Sequence, residues 1–308
     1  PMIVDDFLVF DDKGLYCRYG DFYLDPQQPV QHAIVSHAHG DHAVRGNVHV
    51  YCTAPTAAIM RCRYKSRAGD VFHTYTYQEA FVLNEVRIEL IPAGHILGSA
   101  QILMKYRGTR YLYTGDYKLQ IDATCEALEF IQADVLITET TFANPEVAHP
   151  DPLEEIEKLN AVPYSILLGT YALGKAQRLI HLINMHCPDR LILVHHSILP
   201  LNKIYEQFGY NLGNYQAYQR RGAKVSTQPY VYLVPPMTFS SYFRAKNVVR
   251  AFASGWKNLQ MHNDLSLLIS DHVDWKDIIQ MIEQVKPTQI WTLHGDGRSL
   301  KEHYKGRV

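Results

Sequence analysis

The apolar run Ala33-Ile34-Val35-Ser36 opens directly into His37-Ala38-His39-Gly40-Asp41-His42, and this junction limits the fold more than any other stretch. Three imidazoles and a carboxylate fall within six residues. A short apolar run ending in such a group reads as a buried strand that delivers polar residues to a sheet end, with a helix expected after His42. His37 and His39 can turn toward one metal ion, and Asp41 with His42 can serve a second. Gly40 permits the tight turn that folds both pairs inward. Imidazole with carboxylate suits Zn, Mn or Fe rather than Mg or Ca. The competing reading is a chance grouping of solvent-facing residues in front of a helix.

One cluster cannot close two coordination shells, so partners must come from elsewhere. His95, in Ala93-Gly94-His95-Ile96-Leu97-Gly98-Ser99, follows the alternating strand pattern Val86 to Ile91. Asp116 follows Tyr113-Thr114-Gly115, and His294 follows the apolar run Gln289 to Leu293. Loops at strand ends are where sites are usually built on layered folds. Singly, each of these residues is as well explained by structure.

The first third of the chain reads as strands and turns. Leu15 to Tyr19 and Phe22 to Leu24 flank Gly20-Asp21, a hairpin signal, and Gln101 to Tyr106 with Arg110 to Tyr113 form a second hairpin. Val135 to Ile137 is a short strand ending at Thr138-Glu139. The middle alternates helix and strand: Pro152 to Leu159, Ser165 to Leu168, Lys175 to Met185, Leu191 to Val194 and Val231 to Val234. That alternation indicates a parallel α/β unit. The tail returns to the first pattern, with a strand at Ser266 to Ile269 and a helix at Trp275 to Val285. The expected division is therefore residues 1–150, a middle segment 151–262 and a completing segment 263–308.

The 308 residues are 47% hydrophobic, enough for a large core, and the net charge is −1. That balance hides an asymmetry: Asn160 to Met261 holds eleven Lys and Arg against two Asp and Glu, a local excess of +9. A basic middle between acidic ends is an electrostatic footprint for a polyanion, although a solvated basic surface accounts for it equally well. The five cysteines are scattered without a C-x-x-C pair and read as buried free thiols. No apolar run approaches the roughly 18–20 residues of a membrane span, and no basic leader is visible. A cytoplasmic protein without a membrane partner is the expectation.

At H-x-H-x-D-H (His37 to His42), A-G-H-I-L-G-S (Ala93 to Ser99) and T-G-D (Thr114 to Asp116), the chain resembles the metallo-β-lactamase superfamily. Ile137-Thr138-Glu139-Thr140-Thr141-Phe142, Ser270-Asp271-His272-Val273-Asp274 and His294 are similar to the motifs of its β-CASP nuclease branch, and Leu167 to Gln177 to the opening of its insertion. The resemblance runs from about Asp25 to Asp296. It implies an α/β fold, a metallo-β-lactamase αββα sandwich carrying an inserted smaller α/β β-CASP domain. It further implies two divalent transition metals, Zn or Mn. His37, His39 and His95 would hold the first and Asp41, His42 and His294 the second, with Asp116 bridging and Asp25 orienting a ligand histidine. A shared water activated by the two metals would attack phosphorus, and His272, held by Glu139, would protonate the leaving group.

The short chain looks most like the bacterial ligase-associated DNA exonucleases. That implies a 5′-to-3′ exonuclease acting on DNA in repair, with a DNA ligase as a possible partner. His294 is the choice of RNA-processing members, which keeps an RNA-processing nuclease as the alternative, and a small-molecule hydrolase is the third reading. Thr170, Lys175, Arg178, Ser254, Gly255 and Lys257 are the expected phosphate contacts on the basic segment, where a helix cap or ordinary surface serves as well.

Overall fold

A computed structural model describes residues 2–219, 228–242, 248–257, 263–293 and 297–305. Its first sheet forms where short apolar runs alternate with turns. β1 (Val9–Asp11), β2 (Gly14–Cys17) and β3 (Phe22–Leu24) pair antiparallel, and β4 (His32–Ile34), β5 (Asn47–Cys52) and β6 (Gly69–Thr74) continue in parallel. Between β5 and β6 lies α1 (Ala54–Tyr64), whose N-cap Thr53 accepts the Thr56 N–H, with Pro55 in the first turn. The sequence reading left residues 47–74 unassigned. The apolar residues of α1 do not gather on one face, so it carries little helical period. The helix expected after His42 does not form. His42 N and Ala43 N both bond to His39 O, the turn stops there, and β5 follows.

The second sheet contains β7 (Phe81–Leu83), β8 (Val86–Pro92), β9 (Ala100–Tyr106), β10 (Thr109–Tyr113) and β11 (Val135–Glu139). Successive side chains along its strands face opposite sides, and both sides are buried. Ile88, Ile102, Met104, Tyr111, Val135 and Ile137 share one buried cluster with Phe22, Leu24 and Ile34 of the first sheet, so the two sheets pack face to face.

Residues 149–271 form a compact unit of their own. It contains α2 (Pro152–Glu157), β12 (Ser165–Gly169), α3 (Lys175–His186), β13 (Leu191–Val194), α4 (Leu199–Gln207), β14 (Gln216–Ala217), β15 (Tyr230–Val234), α5 (Pro236–Ser241), β16 (Val248–Ser254) and β17 (Leu265–Leu268). All described pairings in its sheet are parallel, in the order β14-β13-β15-β12-β16-β17. β17 pairs with β16, so this sheet runs past residue 262 and takes the strand that the sequence reading gave to the tail.

The other compact unit joins residues 1–148 to 272–308. Its closing elements are α6 (Trp275–Val285), β18 (Gln289–Leu293) and α7 (Arg298–His303). β18 adds to the second sheet beside β11, in parallel. α6 is amphipathic: Ile278, Met281, Ile282 and Val285 pack on Leu103, Leu112 and Leu136, the other face of the second sheet. The result is a sheet, a sheet and a helical layer. Cys17, Cys52 and Cys187 are buried free thiols, Cys125 is buried and Cys62 is half-buried. No helix among the described residues is long and apolar enough to cross a membrane.

Candidate metal centre

Strand direction gathers the site. β8 and β10 both run antiparallel to β9, and β11 and β18 run parallel to β10, so all four finish at one edge of the second sheet. His95 lies just past β8, Asp116 just past β10, and Glu139 ends β11. In the first sheet β3 and β4 are parallel, and Asp25 and His37 lie just past their ends. Ala100 N donates to Ser36 O at 2.8 Å, tying the two edges together. This joint allows no side chain at Gly115: φ is +54°, and a Cβ would meet the Ser36 Cβ at 2.8 Å.

His37 is fully buried. Its Nδ1 lies 2.9 Å from Ser36 Oγ, while its Nε2 is buried without a hydrogen-bond partner and lies 3.5 Å from Asp116 Oδ2. His39 Nδ1 is 3.1 Å from His95 Nε2. Asp116 Oδ2 is also 3.2 Å from His42 Nε2 and 3.9 Å from His95 Nε2, which makes it the atom common to both halves of the cage. Asp41 Oδ2 is 3.6 Å from His42 Nε2 on a largely exposed side chain. Donor atoms bound at 2.0–2.1 Å around one tetrahedral ion lie about 3.3 Å apart, so this spread is the spacing of a ligand shell. A buried imidazole nitrogen with no proton partner, among imidazole and carboxylate donors, fits a borderline transition-metal dication. The donor atoms of His37, His39 and His95 lie within 4.8 Å of one another.

Asp25 also lies in ligand range of His37 and His42, and its carboxylate is engaged in four hydrogen bonds. Its Oδ1 accepts Ser36 N at 2.7 Å, and its Oδ2 accepts Ser36 Oγ at 2.6 Å and Tyr113 Oη at 2.7 Å and meets His42 Nδ1 at 2.8 Å. That hydrogen bond turns His42 Nε2 toward Asp116. Burial and then Asp25 push the Tyr113 phenol well above its ordinary pKa, so it stays a donor. Burial opposes charge on His42, yet Asp116 and then Asp25 hold it well above its usual pKa. Two carboxylates that favour a proton at His42 favour a cation there equally. Burial would raise Asp116, but His42 foremost, then His272 and His37, hold it well below the carboxylate range. Burial, followed by His42 and His95, holds His37 well below its usual value.

Glu139 is buried at the end of β11. Its Oε2 meets His272 Nδ1 at 2.8 Å and accepts Thr141 Oγ1 at 3.1 Å, and its Oε1 accepts Tyr117 N at 3.2 Å. The His272 ring is centred 5.3 Å from that of His95. His294 lies outside the described residues. β18 brings Leu293 to this edge, where its carbonyl accepts Thr140 N at 2.9 Å.

Sequence reasoning missed the supports Tyr113, Tyr117 and Lys118. Lys118 is fully buried; its Nζ donates to Asp122 Oδ2 at 2.6 Å and to His95 O at 3.3 Å. Its place two residues after Asp116 was the available signal.

The expected phosphate contacts belong to the other unit, and most are interior. Lys175 Nζ donates to Ile269 O at 2.6 Å, Arg178 Nη1 to Ser270 O at 3.1 Å, and both lie 3.6 Å from Asp271. These buried cations brace the chain after β17. Gln177 Oε1 accepts Gly174 N at 2.6 Å at the start of α3. Thr170 is buried, its hydroxyl bonded to Tyr171 O, and Ser254 is buried with its Oγ accepting Trp256 N. Gly255 is half-buried and Lys257 exposed.

No protein-family profile matches the chain. Over 301 residues it is 30% identical to a protein of Opitutus terrae named "Probable DNA ligase", a match covering 92% of this chain and 28% of that protein. Over 201 residues it is 28% identical to an "RNase J-like protein" of Methanocaldococcus jannaschii, covering 56% of this chain and 48% of that protein. The chain thus spans between 28% and 48% of the length of these two relatives. Its fold is similar to that of a protein of unknown function from Enterococcus faecalis V583, with a TM-score of 0.56 at 14% identity over 86% of this chain and 75% of that one.

Proposed function

We propose, on the premise that this chain fits the β-CASP nuclease branch of the metallo-β-lactamase superfamily, that it hydrolyses phosphodiester bonds of nucleic acid. The observation that carries the reading is the Glu139–His272 pair, 2.8 Å apart, beside the His/Asp cage. Cutting a phosphodiester releases an alkoxide, which needs a proton donor.

His37, His39 and His95 would hold one divalent ion, and Asp41, His42 and His294 a second, with Asp116 available to both. Bound there, such ions supply Lewis acidity, lowering the pKa of water and neutralising phosphate charge. Glu139 fixes the His272 ring through Nδ1, which leaves Nε2 directed away from the carboxylate. His272 then delivers a proton to the leaving oxygen from Nε2. Asp25 keeps His42 in the tautomer that presents Nε2. Two sheets packed face to face with a helical layer on the second support a metallo-β-lactamase type of sandwich, and the compact unit at residues 149–271 supports an inserted β-CASP domain.

The substrate we favour is DNA, cut 5′ to 3′ in repair beside a DNA ligase, because a relative named for DNA ligase aligns along 92% of the chain. A relative named for an RNase supports the RNA reading. Assays on 5′- and 3′-labelled DNA and RNA single strands with Mn or Zn separate the two, with His37→Ala as control. RNA cleavage with inert DNA would sink the DNA reading, and no cleavage of either polymer would sink the nuclease. His272→Ala is expected to lower kcat by about 10²–10⁴-fold while KM stays within a small factor.

A further inference from the structure

Among the described residues, the first sheet builds a second group of imidazoles. His32 and His49 are register partners on β4 and β5, and Tyr51 and His73 are partners on β5 and β6. His49 and Tyr51 are two residues apart on one strand, so all four side chains share a face. His49 Nδ1 is 3.0 Å from His73 Nε2. The His32 ring stacks on His49 with centroids 4.9 Å apart, and Tyr51 stacks on His73 at 4.6 Å. Tyr51 Oη and His32 Nδ1 are 3.0 Å apart. All three imidazoles are half-buried and within reach of solvent. His32, His49 and His73 lie within β4, β5 and β6, whereas His37 lies in the loop past the end of β4.

We propose that His49 and His73 form a second transition-metal site, separate from the His37–Asp116 centre, that takes Zn(II) or Cu(II). The 3.0 Å between their nitrogens is close to the ~3.3 Å between two vertices of a tetrahedral ion. Donors that are imidazoles alone select Cu and Zn over Mg and Ca. His73 is held below its usual pKa by burial, then by His49 and His32, which keeps its lone pair available at neutral pH. Solvent completes the shell. The ion joins β5 to β6, the edge strand of its sheet, and ties down an edge that is otherwise open to pairing with another chain. The proposal is independent of the nuclease reading.

Equilibrium dialysis of the whole chain against Zn(II) tests it. His49→Gln and His73→Gln are each expected to bind one equivalent fewer than the unaltered chain, with the same circular dichroism. With Cu(II), the paramagnetic resonance signal should include a nitrogen-coupled component that survives His37→Ala and is lost in His73→Gln. On the unaltered chain, Zn(II) should protect His49 and His73 from diethylpyrocarbonate, read by peptide mass spectrometry; this arm stands even if a variant fails to fold. Equal zinc equivalents in all chains, or both histidines modified at the same rate with and without Zn(II), would leave a His–His hydrogen bond only and overturn the site.

Discussion

Asp25 accepts from Ser36, Tyr113 and His42 at distances between 2.6 and 2.8 Å, so one carboxylate joins the loop after β4 to the end of β10 and holds the His42 ring. Asp25→Asn keeps the shape and loses the charge. A ligand-orienting partner of this kind is worth roughly 10- to 100-fold in metal affinity, and that loss is expected in a chelator competition assay. Lys118 and Asp122 form a buried pair under the His95 carbonyl. Lys118→Met would strand the carboxylate and cost about 3–5 kcal/mol in urea unfolding, whereas Lys118→Met with Asp122→Leu should recover most of it. At this scale the candidate ligands were legible because imidazoles and carboxylates that dense are rare. Tyr113 and Lys118 were not, since an ordinary tyrosine or lysine acquires its role only from what lies across the sheet.

Elements add constraints that single residues do not. Asp277 sits half-buried in the first turn of α6, and burial, then Asp274, raise its pKa to about 6. Its folded pKa exceeds its unfolded value, so its contribution to stability is full below about pH 4 and is lost as pH rises through about 6. Asp277→Asn should therefore match the parent at pH 4 and exceed it at pH 7.5. The gain is about 1 kcal/mol after allowing for solvent screening and the helix dipole, read from urea midpoints. α6 was legible in sequence because its apolar residues repeat at helical spacing, β8 because apolar and polar residues alternate along it, and β9 and β10 because Arg107-Gly108-Thr109 marks a hairpin between them. α1 lacked the period, and the helix expected after His42 gave way to a turn because the chain must re-enter the sheet at Asn47.

Across the whole molecule, metal should matter to stability as well as to chemistry. Buried His37 Nε2 has no proton partner and Asp116 is ringed by histidines, so the folded chain should bind ions far better than the unfolded one. Chelation is expected to lower Tm and abolish cleavage, and Zn or Mn to restore both; an unchanged Tm would mean the cage holds no ion. The basic middle also reads differently once folded. Lys175 and Arg178 are buried, and Arg190 and Arg250 donate to main-chain carbonyls, so part of the +9 serves the interior. Composition counts charges without saying which face water. The sequence alone determined the strand that delivers His37 to His42, the ligand types, and the alternating helices and strands of the middle, because local periodicity and residue chemistry are written along the chain. Only the tertiary structure decided that β8, β10 and β11 end at one edge, that Asp25 binds His42, that Glu139 meets His272 and that Lys175 and Arg178 turn inward. Those are contacts between residues distant in sequence, and strand direction and register set them.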